Sequence, residues 1–262
     1  MERNTRLEKI GSVAKITFDR PAQKNPLNAL FPIEMNEHLD EIEKDNSIKV
    51  VLLTGEGDAF SAGGDLKDAL SVEEVELMKE RNFVRDFLRI PLKMRNMDKP
   101  IISVVNGLAV GGGVALALAS DIIIASERAK FHMGFVKIGL SAADMGMTYF
   151  LPRNVGYAKA SELLLFGEVI TSEEAERIGM INKVVAHDKL EATAEEWAKR
   201  ITEGPPIGIS LTKHALNKEQ GMDLASALEF ETYVQSFALK TQDHKEAVRA
   251  ILEKRKPEFI GK

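Results

Sequence analysis

The stretch KPIISVVNGLAVGGGVALALASDIIIASERAKF, from Lys99 to Phe131, decides the fold class. Ile101–Val105 is a continuous apolar run, typical of a strand that is covered on both faces. A glycine-rich turn, Gly107–Gly113, follows it, and Val114–Ala119 predicts a buried helix that leads to a second strand, Ile122–Ala125. Because polar residues and four glycines interrupt the apolar ones, we expect these elements here and no membrane span.

The same order of elements occurs upstream. Val13–Phe18 and Val50–Leu53 are β-branched or apolar runs that predict strands. Gly55–Asp65 contains four glycines and predicts a loop. A helix is predicted from about Val72 to Asn96, with a kink or break near Pro91. Strand, glycine loop and helix therefore occur twice in succession, which indicates an α/β fold.

The C-terminal part of the chain is almost wholly helical in its pattern. We predict a boundary near Lys189, with residues 1–188 forming the α/β core that carries the site and residues 189–262 forming a helical tail. Within the tail, Asp243 followed by Glu246 predicts the start of a helix, with the Asp side chain as its N-cap.

The chain is acidic and has no cysteine. Its 35 basic and 40 acidic residues give a net charge of −5 without a basic block, which argues against a nucleic-acid partner. The absence of cysteine excludes disulfides, thiolate metal ligands and a cysteine nucleophile. No cluster of His, Asp and Glu has metal-ligand spacing, and Met1–Ile10 lacks the apolar segment of a signal peptide. We therefore expect a cytoplasmic protein that binds no metal.

Two glycine loops are the candidate functional motifs, residues Phe60–Leu66 and Asn106–Gly113. Neither has the spacing of a dinucleotide-binding or Walker motif. Glycine lets the backbone approach a ligand closely, and Gly111–Gly113 open a helix whose first N–H groups favour negative charge. Two such loops are able to donate two N–H groups to one oxygen, as in an oxyanion hole. The alternative is that both loops are tight turns that let helices and strands pack closely.

Six strings in a fixed order extend this picture. They are ITFDRPAQKNPL, VVLLTGEGDAFSAGGDL, KPIISVVNGLAVGGGVALALASDIIIASERAKF, GLSAADMG, YFLPRNVGYAKASELLLFGEVITSEEAERIGMINKVV and AILEKRKPEF. Together they resemble the crotonase superfamily, the enoyl-CoA hydratase/isomerase family, over nearly the whole chain. The resemblance implies a crotonase-like spiral of repeated ββα units with a C-terminal helical trimerisation region. It also implies an acyl-coenzyme A substrate and no metal or redox cofactor.

The resemblance further implies roles for particular residues. The two oxyanion donors would be the backbone N–H groups of Gly64 and Gly112. Segments that contact the coenzyme A moiety contain Lys24, Ala62 and Lys67. Lys254 matches a lysine of the tail that reaches the adenosine phosphates, sometimes those of a neighbouring subunit's ligand. The alternative for Lys254, Arg255 and Lys256 is that they are cations at a helix C-terminus.

The sequence departs from the family pattern at two positions. Hydratases of this family resemble one another in two glutamates that hold and activate the attacking water. The matching positions here are Ala115, two residues after the triple glycine, and Phe135, in the string AKFHMGF. Neither side chain can move a proton, so we expect poor hydration of a simple enoyl-CoA.

Asp144, in the string SAADMG, is the remaining candidate acid. Dienoyl-CoA isomerases are similar to this sequence at that Asp, where it serves in proton shuttling. A carboxylate facing Phe135, Met133 and Met145 would be partly desolvated, which raises its pKa toward values useful for a general acid. The alternative is that Asp144 caps a helix that begins at Met145.

His132 and Phe135 are further candidates for contact with the substrate. His132 is the only histidine near the predicted pocket, and its ring suits a base near neutral pH. The alternative is a packed, hydrogen-bonded histidine in a strand.

These residues favour one function and leave two others open. Isomerisation of an unsaturated acyl-CoA through an enolate fits one carboxylate better than hydration does. A thioester hydrolase, in which Asp144 attacks or directs water, is the second possibility. A non-catalytic acyl-CoA binding subunit is the third. We expect a homotrimer or hexamer, because the tail helices have little core of their own to cover.

Overall fold

The strands of the described residues, 3–66 and 77–262 in the computed structural model, pair into three sheets. In chain order they are Thr5–Ile10 (β1), Val13–Phe18 (β2), Pro26–Leu27 (β3), Val50–Gly55 (β4), Ala59–Ser61 (β5), Gly63–Gly64 (β6), Ile101–Val105 (β7), Leu108–Val110 (β8), Ile122–Ser126 (β9), Lys130–His132 (β10), Val169–Thr171 (β11) and Lys183–Val185 (β12).

The two larger sheets grow together along the chain. The six-stranded sheet has the order β1-β2-β4-β7-β9-β12, and the four-stranded sheet has the order β11-β10-β8-β5. β4, β7 and β9 are parallel neighbours in the first sheet. Each is followed by a short strand, β5, β8 or β10, and these lie parallel in the second sheet. Each turn of the chain thus adds one strand to both sheets, as the predicted spiral of ββα units requires.

The two glycine loops contain short β-strands that the sequence does not predict. Gly55–Asp65 was predicted to be a loop, and it contains β5 and β6, while the turn Gly107–Gly113 contains β8. These strands have only two or three residues, too few for an alternating pattern to be visible. They form because each pairs with a strand from another part of the chain, β6 with β3 and β8 with β5 and β10.

The helices follow the strands in the predicted order. They are Phe31–Lys44 (α1), Leu77–Asn96 (α2), Gly112–Ala119 (α3), Met147–Val155 (α4), Tyr157–Phe166 (α5), Ser172–Arg177 (α6), Leu190–Thr202 (α7), Pro206–Lys218 (α8), Leu224–Ala238 (α9) and Gln242–Leu252 (α10). Pro91 lies inside α2, and the predicted start of this helix, residues 72–76, lies outside the described residues. Every residue of α3 is buried. None of the described helices is long and apolar enough to cross a membrane.

The C-terminal helices differ in how they meet the core. Leu190, Ala194 and Ala198 of α7 pack against one face of the six-stranded sheet. In contrast, α9 has no buried residue. Its Leu224 and Tyr233 are 75% and 67% exposed, so a single chain leaves an apolar surface on this helix uncovered. The division of the chain at residue 189 stays a prediction.

The predicted cap at Asp243 is wrong. The N-cap of α10 is Thr241, whose Oγ1 accepts a hydrogen bond from the backbone N–H of His244 (3.1 Å). Asp243 is buried and accepts hydrogen bonds from the N–H groups of Ile260 (2.8 Å) and Gly261 (2.9 Å). Thr and Asp are both competent caps, and the C-terminal segment, distant in sequence, decides which residue fills that role.

Candidate active site

The fold brings the two glycine loops together. Gly63, on β6, has a positive φ of 79°. A Cβ at this position would lie 2.7 Å from the carbonyl oxygen of Val110 and 3.7 Å from the backbone nitrogen of Gly112. The first distance is too short for any side chain, so glycine lets the strand β6 lie directly against the start of α3. The two predicted donor segments are therefore neighbours.

The N–H of Gly112 lies at the start of a buried helix. Gly112 is the first residue of α3, and the first helical hydrogen bond runs from the N–H of Ala115 to the carbonyl oxygen of Gly111 (3.0 Å). Helix geometry gives the Gly112 N–H no acceptor within its own helix. A Cβ on Gly112 would lie 3.0 Å from Leu27 Cδ1 and 3.4 Å from Met145 Sδ. The N–H thus combines the positive end of a helix dipole with apolar surroundings.

Gly64 borders open space. It follows Gly63 on β6 and is exposed. A Cβ placed on Gly64 would meet no atom of the described residues within 4 Å. A ligand can therefore approach the backbone here, while Gly112 lies on the buried side of the same junction.

The predicted coenzyme A segments are also partly assembled. The N–H of Ala62 donates to the carbonyl oxygen of Lys24 (2.8 Å), and the Lys24 side chain is exposed. Lys67 lies outside the described residues. Lys24 and Ala62 are thus adjacent beside the Gly63–Gly64 strand.

Lys254 differs from the cations beside it. Arg255 pairs with Glu246 (2.5 Å), and Lys256 pairs with Glu203 (2.9 Å). Lys254 follows α10 with a positive φ of 54°, is exposed, and forms no ion pair with any residue in the described ranges. Its charge is therefore available to a phosphate, while its two neighbours are engaged within the tail.

Ala115 and Phe135, the positions predicted to match the hydratase glutamates, are apolar and lie within α3 and beside its start. Ala115 is fully buried in the second turn of α3. Phe135 is buried in a short 3₁₀ helix, Gly134–Ile138. The ring of Phe135 lies 3.4 Å from where a Cβ of Gly111 would be, next to the Gly112 donor. Of the residues that the structure describes here, neither Ala115 nor Phe135 therefore offers a carboxylate to hold a water molecule.

Asp144 is half-buried, and burial raises the pKa of its carboxyl group, while a hydrogen bond from the N–H of Met145 acts in the opposite direction. Met145, whose sulfur approaches Gly112, places Asp144 on the segment that covers the start of α3. The helix-cap alternative is wrong: α4 begins at Met147, its N-cap is Gly146, and no side chain caps it. The raised pKa is the direction that suits a group exchanging protons near neutral pH.

His132 contributes through its backbone. Its carbonyl oxygen accepts the N–H of Gly111 (2.9 Å), which holds the residue before the Gly112 donor. The half-buried ring packs on Gly134, whose added Cβ would lie 2.9 Å from His132 Cε1. The ring makes no hydrogen bond within the described part of the chain, so the structure gives it a packing contact and no partner that would orient it for catalysis.

Two polar residues near the donors were missed in the sequence. Asn25 and Ser61 are buried, and both lie within the matched strings. The Ser61 hydroxyl donates to the carbonyl oxygen of Asn25 (2.8 Å) and accepts the N–H of Gly63 (3.1 Å). Ser61, two residues before the glycine pair Gly63–Gly64, was the available signal.

The ββα spiral and the two glycine loops that meet at the start of α3 are together typical of one class of proteins. Residues 8–262 match the family model described as Enoyl-CoA hydratase/isomerase. The chain belongs to this family, within the crotonase superfamily, as the sequence predicted.

Particular relatives carry two different activities in their names. The chain is 37% identical over 252 residues to 1,2-epoxyphenylacetyl-CoA isomerase of Escherichia coli (strain K12), covering 95% of each chain. It is also 37% identical over 256 residues to short-chain-enoyl-CoA hydratase of Clostridium acetobutylicum, covering 97% of each. The crystal structure of an enoyl-CoA hydratase from Bacillus anthracis superposes with a TM-score of 0.94 at 32% identity, over 99% of this chain and 100% of that one. These likenesses confirm the fold class and the acyl-CoA family.

Proposed function

We propose that the protein isomerises the double bond of an unsaturated acyl-CoA, with Asp144 as the group that carries the proton. The observation behind this proposal is the pairing of one half-buried carboxyl, whose pKa is raised by burial, with apolar residues at both positions that match the hydratase glutamates. One carboxylate is sufficient for an isomerisation, because the same group removes a proton and returns it.

In the proposed reaction, the ionised carboxylate of Asp144 takes a proton from the α carbon of a β,γ-unsaturated acyl-CoA. The electron pair of the broken C–H bond passes into a dienolate, and the thioester oxygen accepts hydrogen bonds from the N–H groups of Gly64 and Gly112. The protonated Asp144 then delivers its proton to the γ carbon. The double bond comes to lie between the α and β carbons, the carboxylate is regenerated, and no atom is gained or lost.

Hydration is the less favoured reaction for this site. It requires a water molecule held and activated on one face of the double bond, and Ala115 and the ring of Phe135 offer no acceptor for its protons. Among the relatives, the 1,2-epoxyphenylacetyl-CoA isomerase supports an isomerase, whereas the short-chain-enoyl-CoA hydratase supports the competing assignment.

One incubation separates the candidate reactions. A β,γ-unsaturated acyl-CoA such as 3-hexenoyl-CoA is mixed with the protein, and the conjugated product is followed by its ultraviolet absorbance while free thiol is measured in parallel. The proposal expects conjugated product without free coenzyme A, and little hydration of crotonyl-CoA. Release of free coenzyme A would instead identify a thioester hydrolase. Tight binding without turnover over a panel of acyl-CoA esters would identify a binding subunit.

We further propose how the substrate is held and in what assembly. Lys24, Ala62, Lys67 and Lys254 would contact the coenzyme A moiety, and His132 and Phe135 would line the acyl side. Coenzyme A enters as part of the substrate, and no cofactor is proposed. The uncovered apolar residues of α9 support a homotrimer or hexamer. The cysteine-free sequence is consistent with the cytoplasm, which cell fractionation tests.

A further inference from the structure

A buried hydrogen-bond relay links the first donor loop to the turn that follows β2. The Asn25 side chain donates from Nδ2 to the carbonyl oxygens of Glu56 (2.9 Å) and Ala59 (2.8 Å), and its Oδ1 accepts the N–H of Arg20 (2.9 Å). These three bonds fix Asn25 in a left-handed conformation with φ of 55°. The carbonyl oxygen of Asn25 is thereby aimed at Ser61.

Ser61 connects this turn to both donor loops. Its hydroxyl donates to Asn25 and accepts the N–H of Gly63, the residue before the Gly64 donor. On the other side, a Cβ on Gly113 would lie 2.8 Å from Ser61 Cβ and 2.9 Å from the Ser61 carbonyl oxygen. Gly113 is the residue after the Gly112 donor. One fully buried side chain therefore touches a direct neighbour of each donor.

We propose that Ser61 is a positioning residue that sets the separation and orientation of the Gly64 and Gly112 N–H groups. This inference rests on the proposed oxyanion role of those two groups. The hydroxyl accepts the N–H of Gly63 and so restrains a residue that, because it has no Cβ, has access to many backbone conformations. The Cβ seats the strand against the bare backbone of Gly113. Loss of the hydroxyl removes one restraint on the Gly63–Gly64 strand while leaving its pairing with β3 and its packing against α3 in place.

Small displacements of such donors have large effects. A misplacement of about 1 Å in a catalytic geometry costs on the order of 10²-fold in rate, and loss of one oxyanion donor costs roughly 10²–10³-fold. We expect Ser61→Ala to lower kcat for isomerisation of the acyl-CoA by about 10-fold to 10²-fold. This loss is smaller than the loss expected when a donor is removed altogether. Binding of free coenzyme A, which has no thioester carbonyl, should change by less than about twofold because the variant leaves its contacts in place.

The test measures carbonyl polarisation directly. A cinnamoyl-CoA analogue with an electron-donating ring substituent absorbs at longer wavelength when its thioester oxygen accepts hydrogen bonds, and this red shift needs no turnover. We compare wild type, Ser61→Ala and Ser103→Ala. Ser103 is the matched control, since it is also fully buried and hydrogen-bonded, to Ser120 (2.8 Å), but lies on β7. Circular dichroism verifies folding, and Ser61→Cys, with a weaker donor and acceptor, replaces Ser61→Ala should that variant not fold.

The expected result is a red shift that is reduced by half or more in Ser61→Ala and retained in Ser103→Ala, with unchanged affinity for free coenzyme A. A folded Ser61→Ala protein with the wild-type red shift would overturn the positioning role. Equal losses in both serine variants would overturn it too, because they would reflect general loosening. Absence of a red shift in the wild-type protein would refute the proposed hydrogen bonds from Gly64 and Gly112 to the thioester oxygen. Asp144→Asn should keep the red shift, so failure of the proton-transfer proposal is recognised separately.

Discussion

Replacing Asp144 by Asn is the most direct test of the chemistry. Asn keeps the size of the side chain and one acceptor oxygen for the N–H of Met145, but it cannot gain and lose a proton in this range. General acid–base groups contribute roughly 10²–10⁴-fold to rates, which is about 2.7–5.4 kcal/mol at 1.36 kcal/mol per factor of ten. Since Ala115 and Phe135 cannot substitute for the lost carboxylate, we expect kcat to fall by about 10²-fold or more.

The assay follows conjugation of 3-hexenoyl-CoA by ultraviolet absorbance, with substrate affinity measured separately. Affinity should change little, because the donors and the coenzyme A contacts are intact. Asp188→Asn is the matched control, since that aspartate is exposed in the short 3₁₀ helix His187–Lys189. A folded Asp144→Asn protein with a rate within about twofold of wild type would refute the role of Asp144 as proton carrier.

The same residue predicts two effects of pH. Burial raises the pKa of the Asp144 carboxyl, so the acidic limb of kcat/KM should lie above the ordinary Asp value of about 3.9. Because the folded state holds this proton more tightly than the unfolded state, its contribution to stability is fully present below pH about 3.9 and is lost as pH rises through the raised pKa. Asp144→Asn should therefore be at least as stable as wild type at pH 7, and this advantage should disappear near pH 3. Thermal unfolding at the two pH values measures it, and a clear loss of stability at pH 7 would contradict the account.

Three further predictions concern the donors, the assembly and the tail. Gly112→Pro removes one N–H at a helix position that accepts proline, and it should cost about 3–4 kcal/mol of transition-state stabilisation. Gly112→Ala, which adds a Cβ but keeps the N–H, is the control. Equal rates for the two variants would refute the donor role. Light scattering should give three or six times 29.0 kDa, and a stable monomer at micromolar concentration would exclude the proposed assembly. Lys254→Glu should weaken binding of an acyl-CoA ester by about tenfold, whereas Lys245→Glu, on the exposed surface of α10, should not; equal effects would point to a general charge effect.

Two of the longer strands could be predicted with their bounds because they are rich in apolar and β-branched residues, whereas β1, which is mostly polar and exposed, could not. Val13–Phe18 and Ile101–Val105 have the predicted bounds, β2 and β7. The short strands β5, β6 and β8 could not, because a pair or triplet of residues has no periodicity and their pairing partners are remote in the chain. Asp243 shows the same limit for caps, since its partners Ile260 and Gly261 are 17 and 18 residues away.

The candidate site likewise has a part that could be predicted from the sequence and a part that could not. The proposed pairing of the Gly64 and Gly112 N–H groups follows from the resemblance, because each glycine lies in a string that occupies a fixed place in the repeated unit, and the structure places the neighbouring Gly63 against Gly112. The relay through Asn25 and Ser61 did not follow, since its bonds join side chains to backbone groups as far as 36 residues apart. The place of Ser61 before the glycine pair marks it as a candidate, but a side chain whose partners are backbone atoms gives no periodic pattern that would identify those partners.

The backbone origin of the two proposed donors would let this site differ in chemistry from a hydratase while it binds the same class of substrate. In the proposed mechanism, the N–H groups of Gly64 and Gly112 polarise the thioester whatever side chains surround them, because the positions of these backbone groups depend on strand pairing and on the start of α3. Ala115 and Phe135 alter only the face on which a hydratase would hold water. Asp144 lies on the separate segment before α4, so the proton transfer proposed for it does not depend on those two positions. In this proposal, polarisation of the carbonyl and transfer of the proton are set by different parts of the fold. The double variant Ala115→Glu, Phe135→Glu should therefore gain hydration of crotonyl-CoA while keeping the red shift of a bound conjugated thioester. A folded double variant that has lost the red shift would contradict this separation.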